Sequence, residues 1–93
     1  MNRIFKFFKY TFRKFNQESE YLVYTKDIIV PDYFKSKRVG SVKWKRKLDY
    51  WKKTGEFESP IVLNKDFVLI DGFTSAKIAH LYNIEKVPVY FVD

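Results

Sequence analysis

The run Asp71-Gly72-Phe73-Thr74-Ser75-Ala76-Lys77 is the part of this sequence whose residue types and order point most directly to chemistry. Phe67, Val68, Leu69 and Ile70 precede it as an apolar, β-prone stretch, Gly72 breaks that stretch, and a helical pattern follows. A strand that turns so sharply into a helix leaves backbone N–H groups unpaired at the helix start, and such a turn binds anions. Asp71, Gly72, Phe73, Thr74, Ser75 and Lys77 are therefore the candidate phosphate- or nucleotide-binding residues. The backbone supplies donors, Thr74 and Ser75 add hydroxyls, and Lys77 adds charge. Asp71 works the other way if it caps the helix, because its carboxylate would then occupy the anion site itself.

Other chemistries have little support. His80 is the sole histidine and there is no cysteine, so the usual zinc ligand sets cannot be assembled. Thr74 and Ser75 have no histidine base at a recognisable spacing, and nucleophilic catalysis is not expected. Glu56, Glu58, Asp66 and Asp71 could hold a divalent cation for phosphoryl chemistry, but scattered loop carboxylates are more often solvated turn residues. No catalytic or metal-binding residue is assigned. A nucleotide or phosphate is the ligand the turn admits.

The elements that must position this turn are legible around it. Ala76, Ile78, Ala79, Leu81 and Tyr82 give a helix one packing face, and Asn83 ends it. Lys86–Val92 reads as a strand, with Pro88 near its start at a sheet edge. Upstream, strands are expected near Tyr21–Val30, Ile61–Leu63 and Phe67–Ile70. Between the first two lies a helix with Ser41 as N-cap, Trp44, Leu48 and Trp51 directed to the core, and Gly55 at the C′ position. The pattern predicts an α+β domain over residues 21–93: a small mixed sheet with packed helices, its core filled by the 20% of residues that are aromatic.

Charge divides the chain. Residues 1 to 53 carry 15 Lys/Arg against 5 Asp/Glu, whereas residues 54 to 93 carry 3 against 6. The basic surface and the Gly72 turn thus fall in opposite halves and read as separate functions. Nine basic residues lie between Lys35 and Lys53, with Asp49 the one acid. Lys35, Lys37, Arg38, Lys43, Lys45, Arg46, Lys47, Lys52 and Lys53 are the candidate nucleic-acid-binding residues. They could neutralise phosphates without reading bases, giving salt-dependent binding, or could simply form a solvated face. Tyr33, Phe34, Tyr50 and Phe57 could stack bases beside them, although core packing is the commoner fate of such residues.

Residues 1–16 form the second basic segment. Ile4, Phe5, Phe7, Phe8, Phe12 and Phe15 project on one side of a helix and Arg3, Lys6, Lys9, Arg13 and Lys14 on the other. This predicts an amphipathic N-terminal helix that packs on the domain, a protein partner or a second subunit, with an anionic membrane surface the less common alternative. Its interrupted apolar run fits neither a cleavable signal nor a bilayer span. With no cysteine present, a cytoplasmic location is expected.

Three landmarks carry a family resemblance: Asp27-Ile28-Ile29-Val30-Pro31; Gly55 with Ser59-Pro60-Ile61-Val62-Leu63; and Gly72-Phe73-Thr74-Ser75-Ala76-Lys77-Ile78-Ala79 followed by Val87-Pro88-Val89. In order and spacing they resemble the ParB/sulfiredoxin superfamily over Tyr24 to Val92. The resemblance implies that fold and a phosphate-binding turn at Gly72. It also exposes two departures. The paired arginines that contact phosphates in the partitioning proteins fall on Thr74 and Ser75, and the catalytic cysteine of the sulfiredoxins is absent, which excludes their reductase chemistry. The partitioning proteins continue into a helix-turn-helix domain; here the sequence ends at Asp93, so DNA contact is expected from this domain or a partner.

The reading is a non-catalytic ParB-like module that contacts nucleic acid phosphates through the basic helix, in the manner of a small phage or mobile-element accessory protein. A nucleotide-binding or phosphoryl-transfer protein using the Gly72 turn, and an adaptor working through residues 1–16, are the alternatives.

Overall fold

A computed structural model describes residues 5–6 and 17–92. A five-stranded mixed sheet is built from β1 (Phe5–Lys6), β2 (Glu20–Tyr24), β3 (Ile61–Asn64), β4 (Leu69–Asp71) and β5 (Lys86–Val92), in the order β1-β2-β5-β3-β4. Three helices, α1 (Asp32–Lys35), α2 (Ser41–Thr54) and α3 (Phe73–Leu81), complete an α+β fold. Strand β5 is central: Val87 and Val89 face Val23 and Tyr21 of antiparallel β2, while Val89 and Phe91 face Ile61 and Leu63 of parallel β3.

Alternation along these strands decides which face is dry. Tyr21, Val23, Ile61, Leu63, Val87, Val89 and Phe91 are all buried, and their neighbours in sequence are less so. Ala76 and Ala79 of α3 join that core, and their small side chains allow the helix backbone to come close to the sheet. Phe91 meets Tyr21 edge-on at 5.6 Å and Phe67 at 5.2 Å, so the aromatic content does fill the centre.

Several boundaries differ from the sequence expectation for identifiable reasons. Strand β2 stops at Tyr24 because its partner β5 begins at Lys86 opposite it; the Thr25 N–H then bonds the Glu85 carbonyl at 2.9 Å, and a 3-10 turn follows. Ile29 rejoins the sheet elsewhere, in an isolated parallel bridge to Val68. Phe67 belongs to a turn rather than a strand: its φ is 67°, and its N–H bonds the Asn64 carbonyl at 2.9 Å. The Asn64 side chain closes the same turn by accepting from the N–H groups of Asp66 and Val68. Pro88 sits in the central strand rather than at an edge. Pairing with β3 begins only at Val89, so on that side no ladder bond is required of Pro88.

Helix α2 departs most. Gly40, not Ser41, is the N-cap, its carbonyl accepting the Trp44 N–H at 2.9 Å. Trp44, Leu48 and Trp51 are half-buried, and no residue of α2 belongs to the sheet core. The helix packs on α3, with Trp51 against Tyr82 at 5.0 Å and the Lys77 ammonium over Trp44 at 5.6 Å. Its C-terminus follows expectation, since Gly55 adopts a left-handed φ of 77° and its N–H bonds the Trp51 carbonyl. For the N-terminal helix, Phe5–Lys6 form a short strand parallel to Glu20–Tyr21 instead, and the other residues of segment 1–16 lie outside the described residues.

Candidate phosphate-binding site

The strand-to-helix turn is real and depends on one residue type. Gly72 has a φ of 84°, and a Cβ there would collide with the Pro60 carbonyl oxygen and lie 2.8 Å from Ile61 Cα. Only glycine meets both conditions without displacing the backbone. The first intrahelical bond runs from the Ala76 N–H to the Gly72 carbonyl at 3.0 Å, so the donors of Phe73, Thr74 and Ser75 precede the helical ladder. Asp71 does not cover them: its carboxylate accepts the Gly72 N–H at 2.8 Å.

A cavity of about 210 Å3 opens over this turn. Asp71, Gly72, Phe73 and Thr74 of the turn line it together with Lys37, Arg38, Lys43 and Lys47 of the basic segment, and Phe34 and Ser59 complete the wall. The two halves of the chain, opposite in net charge, thus contribute to one site, and its lining carries four cationic side chains against one carboxylate. Two larger hollows, about 450 and 560 Å3, involve Thr25, His80 and Glu85, and Glu20, Glu56 and Glu58, respectively. Neither joins a helix start to such a set of cations.

Lys47 holds the site together. It is the one buried residue of α2, at 8% exposure, and its ammonium donates to the Ser59 hydroxyl. The solvated basic face therefore does not include it. Lys47 stands three residues after Trp44 and four before Trp51, which puts it on the helix's inward stripe, and that spacing is the signal in the sequence that marks it as inward.

The other candidates separate clearly. Ser75 is buried and donates its hydroxyl to the Ser59 carbonyl at 2.6 Å, which makes it a brace rather than part of the cavity wall. Lys77 is exposed and lies outside the cavity lining, its ammonium turned toward α2, 5.6 and 5.9 Å from the ring centres of Trp44 and Phe73. Among the basic residues, Lys35 pairs with Asp32 at 3.6 Å, Lys45 with Asp49 at 3.4 Å and Arg46 with Glu58 at 3.1 Å. The Lys52 ammonium lies over Tyr82, and Lys53 is exposed outside the cavity. Of the aromatic candidates, Phe34 is buried, Phe57 is half-buried against the core, and Tyr33 and Tyr50 are exposed. Among the described residues no group of three or more His, Cys, Asp or Glu side chains could hold a metal ion, and no helix is long and apolar enough to cross a membrane.

Two solved structures share this architecture. The C2221 form of a pNOB8-like ParB-N domain superposes with a TM-score of 0.67 at 20% identity, and a pNOB8-like ParB N-domain with 0.63 at 23%; each covers 81% of this chain. The fold is that of a ParB N-domain. This chain spans 30% and 28% of the length of those two chains, and at such identities the likeness establishes the ParB-N fold alone. Neither a protein-family model nor a curated protein matches the sequence. Within the ParB-N fold, the turn expected from the resemblance is present at Gly72. Thr74 and Ser75 stand where that resemblance expects arginines, and the cations beside the turn come instead from the α1–α2 segment.

Proposed function

We propose that this protein is a ParB-N-like binding module that holds phosphate groups, those of a nucleic acid strand, in the cavity between the Gly72 turn and the basic α1–α2 segment. The observation that carries this reading is the convergence of Lys37, Arg38, Lys43 and Lys47 on the start of α3. Three exposed cations and the buried Lys47 around a concave site focus positive potential there, and helix α3 adds the partial positive charge of its N-terminus. The remaining basic residues of α2 are largely engaged with Asp49, Glu58 or Tyr82, and they serve as a peripheral field rather than the contact itself. A nucleic acid ligand would give the protein a cytoplasmic site of action.

A titration of labelled nucleic acid at several salt concentrations tests the reading. Phosphates paired with the exposed Lys37, Arg38 and Lys43 around the cavity give a slope of log affinity against log salt of roughly −2 to −3. No binding at low ionic strength would refute it.

The N–H groups of Phe73 and Thr74, which precede the helical ladder at the cavity wall, favour one second reading, a free nucleotide in the same cavity. A nucleoside triphosphate that raises the melting temperature while inorganic phosphate does not would select it.

A further inference from the structure

Tyr33 sits against Phe34, a wall of the cavity, and among the described residues its phenol has no hydrogen-bond partner. It is 64% exposed, and its only ring partner among the described residues is Phe34, at 4.5 Å and 34°. Phe34 in turn stacks on Phe73 at 5.4 Å and 8°. Phe34 and Phe73 are both walls of the cationic cavity. The three rings therefore form a graded array that begins inside the phosphate site and ends on an open tyrosine. The Lys37 ammonium lies 5.9 Å from the Phe34 ring centre, which ties cation and array together on the same side. Asp32, the carboxylate next to Tyr33 in sequence, is paired with Lys35, so its charge is locally compensated.

An exposed aromatic ring close to cations offers a nucleobase a surface when it leaves its own stack. The ring supplies a π-face at little entropic cost, and the cations fix the neighbouring phosphate. Bases inside a duplex are already stacked and cannot reach such a ring. Resting on the phosphate reading above, we propose that the cavity and Tyr33 together form a site for single-stranded nucleic acid, with one base stacked on Tyr33 and the neighbouring phosphates held by Lys37, Arg38 and Lys43. Tyr33 then determines the preference for single strands, and the cavity provides the sequence-independent affinity.

Fluorescence anisotropy with four probes of roughly 12 nucleotides tests this: oligothymidylate, oligouridylate, a duplex, and an abasic phosphodiester strand. The expected result is that the single strands bind more tightly than the duplex and the abasic strand. Tyr33→Ala should weaken the single strands about tenfold and leave the other two probes unchanged, while Tyr33→Phe retains the preference. Agreement or disagreement between the thymidylate and uridylate probes assigns the strand as DNA, RNA or either. An unchanged affinity for Tyr33→Ala, an equal loss on the abasic strand, or tighter binding of the duplex would overturn the stacking site. Those outcomes leave the phosphate reading intact if Lys37→Gln/Lys43→Gln still weakens every probe. Failure of all four probes to bind at low salt overturns both. Tyr33 is exposed, so its variants should fold, and circular dichroism verifies that.

Discussion

Lys47 of α2 donates to the hydroxyl of Ser59, and the carbonyl of that same Ser59 accepts the hydroxyl of Ser75 in α3. One loop residue thus ties both helices to the segment that enters β3. The geometry fixes the side of α2 that faces the Gly72 turn.

Removing the charge at that junction separates anchoring from simple packing. Lys47→Met keeps an apolar stem of similar length but leaves the Ser59 hydroxyl without its charged donor. A loss of about 1–2 kcal/mol in urea denaturation is expected, together with weaker phosphate binding. Unchanged stability and affinity would show that Lys47 only fills space.

Ser75→Ala is expected to act on stability alone. The hydroxyl is buried at 2% exposure and bonds a backbone carbonyl, so its loss costs about 1–2 kcal/mol. Nucleic acid affinity, measured below the unfolding transition, should stay at the wild-type value; a selective loss of affinity would return Ser75 to the ligand site.

The two left-handed glycines should respond very differently to alanine. At Gly55 a Cβ meets open space, so Gly55→Ala incurs only the backbone penalty of about 1 kcal/mol. At Gly72 the Cβ also strikes the Pro60 carbonyl and Ile61 Cα, and at least about 3 kcal/mol is expected. Similar thermal unfolding of the two variants would contradict the close approach.

Thr25 offers a stabilising change. Its hydroxyl is buried without a hydrogen-bond partner among the described residues, so Thr25→Val, nearly the same shape, should raise stability by about 1 kcal/mol. A drop in denaturation midpoint would mean that the hydroxyl is satisfied by water in solution.

Position within the basic segment should matter more than charge count. Replacing Lys37, Arg38 and Lys43 by Gln is expected to reduce the salt slope by roughly two to three, about 0.7–0.9 for each phosphate left without its cation. Replacing Lys45, Lys52 and Lys53 should reduce it much less, since these three lie outside the cavity. Equal effects of the two triple variants would favour a diffuse basic face.

Local features were legible wherever a residue type answers a local demand. Gly72 and Gly55 break their elements in left-handed conformations, and Asn83, with a φ of 53°, ends α3. Strands form where Ile61–Leu63 and Lys86–Val92 predict them, and their alternate residues are buried because Ala76 and Ala79 of α3 pack on that face of the sheet. Phe67 misled because an apolar, β-prone residue in a left-handed turn is held there by Asn64 and by its buried ring, not by propensity.

The sequence alone was sufficient for the ParB-like order of elements, the glycine-dependent turn and the uneven charge of the two halves, since each is written in near neighbours or in composition. It could not reveal that the turn and the basic segment belong to one cavity, nor that the inward-facing Lys47 finds its partner in Ser59. Those follow from α2 lying on α3 rather than on the sheet, a long-range packing choice made by Trp51 with Tyr82 and by Lys47 and Ser75 with Ser59. The Gly72 turn lacks arginines in its own sequence, and packing brings the cations to it from another part of the chain.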